Sequence, residues 1–202
     1  MDHRVAVGRP VTVDANSILD AAAHLVERAG FRGVTLAEVA HRAGVSRRTV
    51  YRYFGDRDGL LDGLIGRERD RFVTAALDAA GPDDDLRTAA SRSILAILTL
   101  AVDSRLLAKL RSTDPELLHP RFAARSGTVI DVVTPTTTAF LAHYLPDADP
   151  ALGRVAADLI SRLLVSYVAD PPTGPISSTA EAIAQLLVSM LETAQSSGVQ
   201  TA

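Results

Sequence analysis

Between Arg42 and Arg57 the chain carries five arginines and a single acid, Asp56, with Tyr51 and Tyr53 set among them. A guanidinium group can bond O6 and N7 of a guanine as a fork, and Tyr, Thr or Ser hydroxyls can bond phosphates or base edges. The segment Ser46–Phe54, SRRTVYRYF, has the pattern of one capped short helix. With Val50 set at zero and roughly 100° per residue, Phe54 lies at about 40°, and Tyr51, Arg48 and Arg52 at about 100°, 160° and 200°. Val50 and Phe54 therefore make an inner face, Arg48, Tyr51 and Arg52 the opposite one, and Arg47 and Tyr53 flank the boundary. That distribution suits a helix lying in a major groove. Taken alone, it also suits an ordinary solvated basic face.

The flanking residues decide between the two. Thr35-Leu36-Ala37-Glu38 spells a capping box, in which a hydroxyl and a carboxylate three residues apart each bond the other's backbone N–H. Leu36, Val39, Ala40 and Ala43 follow at helical spacing, and Gly44 is the residue type that ends a helix in a left-handed conformation. Ser46 can then cap the second helix. Two short capped helices joined by a glycine turn make a helix-turn-helix, and the expectation is a DNA reader.

Composition agrees once the charge is divided. The 202 residues carry a net charge of −3. Residues 1–57 hold nine arginines against six acids, whereas residues 58–202 hold twelve basic residues against eighteen acids. A basic head on an acidic body is the asymmetry of a small DNA-binding unit joined to a regulatory one. Ala and Leu dominate the apolar residues, which favours helices. The absence of cysteine removes disulfide and thiolate chemistry. MDHRVAVGRP does not have the pattern of a signal peptide, and no apolar stretch reaches membrane-spanning length, so a soluble cytoplasmic protein without membrane contact is expected. Neither a nucleophile–base pair, a metal motif nor a phosphate loop is legible, so no enzyme and no cofactor is expected.

Residues 1–13 read as a mobile arm whose Arg4 and Arg9 could touch phosphates or a minor groove. A first helix runs from about Asp14 to Ala29, Gly30 ends it, and Phe31 plugs the core beside the helix pair. Asp56 is a plausible N-cap for a long helix from about Arg57 to Ala80 that joins head to body, and its first turn with Arg57 is a candidate phosphate clamp.

Residues 14–65 resemble the DNA-binding domain of the TetR (tetracycline repressor) family of bacterial regulators. The resemblance lies in Ile18-Leu19-Asp20-Ala21-Ala22, Gly30-Phe31, the stretch from Thr35 to Gly44, Val45 to Phe54, and the Gly55-to-Leu61 entry into the long helix. It implies a DNA-contacting set of Ser46, Arg47, Arg48, Thr49, Tyr51, Arg52, Tyr53 and Arg57. In that set Arg47, Arg48 and Tyr51 approach bases, while Thr49, Arg52, Tyr53 and Arg57 serve mainly phosphates. Arg57 stands where the family usually has lysine. Asp14-Ala15-Asn16-Ser17 replaces the basic residues often found before the first helix.

The expected architecture is all-α: an arm (1–13), a three-helix DNA-binding domain (14–62) and a helical ligand-binding and dimerisation domain (63–202). In the body, Gly81-Pro82 breaks the chain before an apolar helix ending near Asp103, and a short helix follows near Arg105–Arg111. Asp114-Pro115 and His119-Pro120 mark turns. A helical segment from about Pro120 to Tyr144 should be kinked or split at Pro135, with its threonines either lining a polar wall or bonding their own backbone. Asp149-Pro150 opens the next helix and Asp170-Pro171-Pro172 stops it. Ser178-Thr179-Ala180-Glu181 reads as a second capping box. Arg162, inside an apolar run, is expected to pair with Asp158 one turn away.

The last two helices carry apolar stripes over about 149–169 and 177–196, which could form an isologous four-helix bundle with a second copy. The resemblance implies the same, together with a pocket in the body. Phe72, Leu98, Leu110, Phe122, Ile130, Phe140 and Tyr167 are candidate lining residues. The function expected is a homodimeric repressor, released from a near-palindromic operator in double-stranded DNA by a small, hydrophobic effector of unknown identity. The alternatives are a DNA-bound regulator or scaffold with no small ligand, and an activator.

Overall fold

A computed structural model describes residues 14–118 and 129–199. Arg4, Arg9, His119, Pro120 and Phe122 lie outside the described residues. Among those described there are no strands, and nine helices lie wholly within them: α1 (Ala15–Ala29), α2 (Leu36–Arg42), α3 (Arg47–Phe54), α4 (Arg57–Ala79), α5 (Leu86–Asp103), α6 (Arg105–Thr113), α7 (Val129–Tyr144), α8 (Pro150–Ala169) and α9 (Ile176–Val199). No described helix is long and apolar enough to cross a membrane.

Short side chains set most of the helix starts. Asp14, Thr35, Ser46, Asp56, Asp85, Ser104 and Asp149 each accept a backbone N–H from the first turn of the helix that follows. A cap of this kind contributes roughly 1 kcal/mol. The Thr35–Glu38 box forms in both directions. Its Thr35 hydroxyl and amide hold the Glu38 carboxyl below the usual range. At the far end of α2, Gly44 has φ +67°. There Val45 N–H reaches back to Ala40 O at 2.9 Å and Gly44 N–H to His41 O at 3.2 Å, a Schellman ending that also turns Val45 onto the head core.

Packing joins head and body into one frame. One apolar cluster takes Ile18, Val26, Phe31, Val39 and Val50 from the head, Leu60 and Leu64 from α4, and Leu106, Leu107 and Leu110 from α6. A second cluster holds the body, with Ile94 and Leu98 from α5, Ile160 and Leu164 from α8, and Ile183 and Leu187 from α9. α4 has 23 residues and so runs about 35 Å, contacting α1 and α3 at one end and α5 along its length. Arg67, well along α4, reaches back to α1: Nη1 lies 2.6 Å from Asp20 Oδ1, and Nη2 donates to Leu19 O at 3.3 Å. The head is therefore tied to α4 beyond the first turn of that helix as well.

Of the two outcomes expected at Pro135, a kink or a split, the split does not occur: α7 runs from Val129 to Tyr144 with the proline inside it. The hydroxyls of Thr136, Thr137 and Thr138 bond the carbonyls of Val132, Val133 and Thr134 at 3.3, 3.0 and 2.9 Å. These are i−4 bonds from side chain to backbone, of the kind that bends a helix slightly. One expectation is corrected: Ser178 is not an N-cap. α9 begins at Ile176, and Thr179 N–H already bonds Pro175 O at 3.1 Å. The early start lets Ile176 pack against the body core, so burial overrides the local capping pattern. Arg162 pairs with Asp158 through Nε at 2.8 Å, outside the apolar core.

Candidate nucleic-acid interface

α3 is held by a narrow inner face. Val50 is fully buried, and Phe54 packs half-buried on the head core. Arg47, Arg48, Tyr51, Arg52 and Tyr53 are all exposed. Tyr51 is 54% and Tyr53 42% exposed, both large for aromatic rings. Arg52 Cζ lies 5.1 Å from the centre of the Tyr53 ring, within cation–π range. Cations and phenols thus share the open side, as the helical spacing predicts. Ser46 and Thr49 are partly committed to the helix start: Ser46 Oγ accepts Thr49 N–H at 3.1 Å and lies 2.9 Å from Thr49 Oγ1.

The joint between α3 and α4 is tight. Gly55 has φ +74° and ψ −64°, and Asp56 N–H bonds Phe54 O at 2.8 Å. This is a three-residue γ-turn of positive φ, a rare conformation suited to glycine. Asp56 then caps α4 through Gly59 N–H at 2.8 Å. A Cβ placed on Gly59 would stand 1.9 Å from Phe54 O, so the two helices meet backbone to backbone.

Arg57 does more than its spacing suggests. Its Nη2 donates to Phe31 O at 2.6 Å, and its guanidinium lies 4.9 Å from the centre of the Phe31 ring. It therefore clamps the α1–α2 turn to the start of α4. We expect Arg57→Ala to lower the stability of the DNA-free protein by about 1–3 kcal/mol, the cost of a hydrogen bond from a charged group. A thermal melt without DNA checks this, and an unchanged melting temperature would mean that the clamp contributes nothing.

Asp114 is a site residue that sequence reading missed. Read only as a turn marker, it is instead a buried carboxylate bonded to the head through the amides of Phe31 and Arg32. No local pattern signals a partner 83 positions away.

The body holds two narrow apolar cavities of about 80 and 50 Å³. Val73, Ile97, Val133 and Leu164 border both, so they lie end to end along α4. Phe140 lines the first cavity and Phe72 the second. Leu98 and Leu110 belong to the closed core, with 1% and 0% exposure, while Ile130 and Tyr167 are half-buried beside it. Thr136 and Thr137 border the first cavity, with their hydroxyls bonded to their own backbone.

Comparison with known proteins covers both halves. Residues 18–64 match the family described as bacterial regulatory proteins, tetR family, and residues 85–189 match the bacterial tetracyclin repressor C-terminal domain. The chain is 32% identical over 171 residues to the HTH-type transcriptional regulator AlkX of Mycobacterium tuberculosis, covering 78% of this chain and 75% of that protein. A BetI regulator from Paraburkholderia phytofirmans is 49% identical over 48 residues, 24% of this chain and 25% of that one. Among solved structures, the TetR family repressor AlkX from Dietzia sp., implicated in biodegradation of n-alkanes, superposes with a TM-score of 0.74. It is 26% identical, with 88% of this chain and 97% of that chain covered. With both its head and more than half of its length matched, the chain belongs to the TetR family of bacterial transcriptional regulators, which bind DNA and are not enzymes.

Proposed function

We propose that the protein is a homodimeric repressor that holds a near-palindromic operator and leaves it when an apolar small molecule enters the body. The observation that carries this reading is the open side of α3, where Arg48, Tyr51 and Arg52 stand opposite the buried Val50 and the exposed Arg47 and Tyr53 flank them. In this reading Arg47, Arg48 and Tyr51 reach base edges. Thr49, Arg52, Tyr53 and Arg57 address phosphates, with Ser46 at the N-terminal entry of the helix. Two such helices, one helical turn of DNA apart, would read successive major grooves.

The apolar walls of the two cavities and their place along α4 support the release step. Pockets for small ligands measure roughly 300–1,000 Å³, far more than the two body cavities together. A ligand seated there needs the body to open, and so binds one state better than another, as a population shift requires. α4 borders both cavities through Val73 and also carries the head. The likeness to a repressor implicated in n-alkane degradation and the apolar walls favour a hydrocarbon-chain effector.

The test begins with selection of duplexes from a random pool, followed by release of the selected duplex with n-alkanes and 1-alkanols of graded length. Enrichment of a palindrome, with release by a chain-bearing compound, is the expected result. Enrichment without release by any chain would remove the effector class and keep the DNA reader. Arg48→Ala is expected to cost about 1–3 kcal/mol on the selected duplex and to relax preference at one base pair. Equal losses on selected and random duplex would take Arg48 out of the base-reading set.

A further inference from the structure

Asp114 follows the last residue of α6 and is 1% exposed. A carboxylate buried so deeply needs donors around it. Most of those it has come from the head. Phe31 N–H donates to Oδ2 at 2.9 Å and Arg32 N–H to Oδ1 at 3.3 Å, across 83 and 82 positions of chain. Within the body, Thr113 Oγ1 lies 2.6 Å from Oδ2. Arg32 Nε stands 3.7 Å from Oδ1. Burial pushes the carboxyl up, but the bonds from Thr113, Phe31 and Arg32, with the Arg32 guanidinium, outweigh it and hold the group below the usual range. The contact is also close in its backbone. Gly30, at φ +76°, presses on the same point, and a Cβ there would stand 2.8 Å from Thr113 Oγ1 and 3.0 Å from Asp114 Oδ2.

Phe31 is held from its other side too. Its carbonyl accepts Arg57 Nη2, and its ring packs with the same guanidinium. Arg57 opens α4 three positions after Phe54 ends α3. One residue therefore links a carboxylate of the body to the joint from which the recognition helix projects.

We propose that Asp114 is a positioning residue for DNA reading: from the body it clasps the α1–α2 turn, and through Phe31 and Arg57 it sets the angle at which α3 is presented. The clasp touches no DNA. It works by denying the head a second orientation relative to α6 and α4. α6 also reaches the second cavity, because Leu107 lines it, about two turns before Asp114, which follows the helix's last residue. If the effector reading of the preceding section holds, a ligand that displaces Leu107 acts on the clasp through one rigid helix. The positioning role itself does not depend on that reading.

Asp114→Asn in the full-length protein tests the proposal. The amide keeps the shape, but it has one acceptor oxygen for two N–H donors and turns an NH₂ group toward one of them. Two quantities are read: hydrogen exchange of the Phe31 and Arg32 amides, and the ratio of affinities for a duplex selected by the wild-type protein and for a random duplex. We expect exchange at the turn to rise, and the ratio to fall, by about tenfold or more, the scale of one lost bond to a charged group. Exchange in α5, α8 and α9 should stay as it was. A residue that only stabilised the fold would lower the melting temperature and leave the ratio alone. Faster turn exchange with an unchanged ratio therefore overturns the proposal, and so does unchanged exchange at Phe31 and Arg32.

If Asp114→Asn does not fold, Thr113→Val removes, from an exposed position, the hydroxyl that lies 2.6 Å from the same carboxylate and 2.9 Å from Lys109 O within α6. Both effects are then expected in the same direction at about threefold, and faster turn exchange with an unchanged ratio again overturns the proposal. Glu116→Ala removes a partner of Arg32 that lies outside the clasp and should change neither quantity. A fall in the ratio as large as that of the Asp114 variant would place the effect on Arg32 instead.

Discussion

Gly59→Ala is expected to abolish sequence-selective DNA binding while the body helices remain folded. The reason is steric and local. A methyl group on Gly59 would lie 1.9 Å from the carbonyl oxygen of Phe54, and neither partner is a side chain that can rotate away. The oxygen is pinned as well, since it accepts Asp56 N–H in the γ-turn at Gly55. Relief must come from moving α3 away from α4 or from unwinding the first turn of α4. Either route breaks the Asp56 cap on Gly59 N–H and tilts the exposed face of α3. Overpacking typically costs 1–3 kcal/mol when side chains can adjust, and a backbone–backbone overlap should cost about 3 kcal/mol or more on that scale. Because head and body share one apolar cluster, the melting temperature should fall too. The far end of the body, built on α5, α8 and α9, should keep its helices. Circular dichroism with binding to a selected duplex reads both. A variant that melts and binds like the wild type would show that the α3–α4 joint has slack that the close approach denies.

The head was largely legible in the sequence because its signals are local. Thr35 with Glu38, Ser46 with Thr49 and Asp56 with Gly59 are contacts three residues apart, and a pattern at that range is visible without a fold. The faces of α3 follow from helical spacing alone, and Val50 lies buried and Arg48 exposed as that spacing requires. What stayed hidden crosses the chain. The bond from Arg57 to Phe31 spans 26 positions, and those to Asp114 span more than 80. No propensity scale connects residues so far apart. In the body, a local capping pattern met tertiary packing and lost: Ser178 is overtaken by the packing of Ile176. Pro135 sits inside a helix that continues past it. Candidate cavity residues were hard to sort because Leu98 and Phe140 look alike as apolar residues on amphipathic helices, although one is sealed in the core and the other borders space.

Leu186→Glu is expected to split the proposed dimer and, with it, to remove tight operator binding. α8 and α9 pack inward through Ile160, Leu164, Ile183 and Leu187. α8 carries a second, exposed apolar face, and α9 sets one exposed leucine, Leu186, on its outer side. Val155 is 57%, Leu159 50% and Leu186 60% exposed. An apolar surface of this kind on two adjacent helices is what an isologous bundle needs. Fully burying a leucine or valine contributes about 1.5–3 kcal/mol, and a twofold interface counts each residue twice, so these positions alone would supply a large part of a dimer's stability. A carboxylate at position 186 would have to be desolvated in the interface, once from each protomer. The Arg162 guanidinium on α8 is already paired with Asp158. The monomer should fold normally, since an exposed side chain makes little of its core. Sedimentation at micromolar concentration should therefore show a dimer for the wild type and a monomer for the variant, with similar helix content. Operator affinity should fall to that of a single half-site, because two recognition helices no longer bind as one unit. A variant that remains dimeric would move the interface away from the α8–α9 face. A variant that becomes monomeric yet keeps full operator affinity would separate DNA reading from dimerisation altogether.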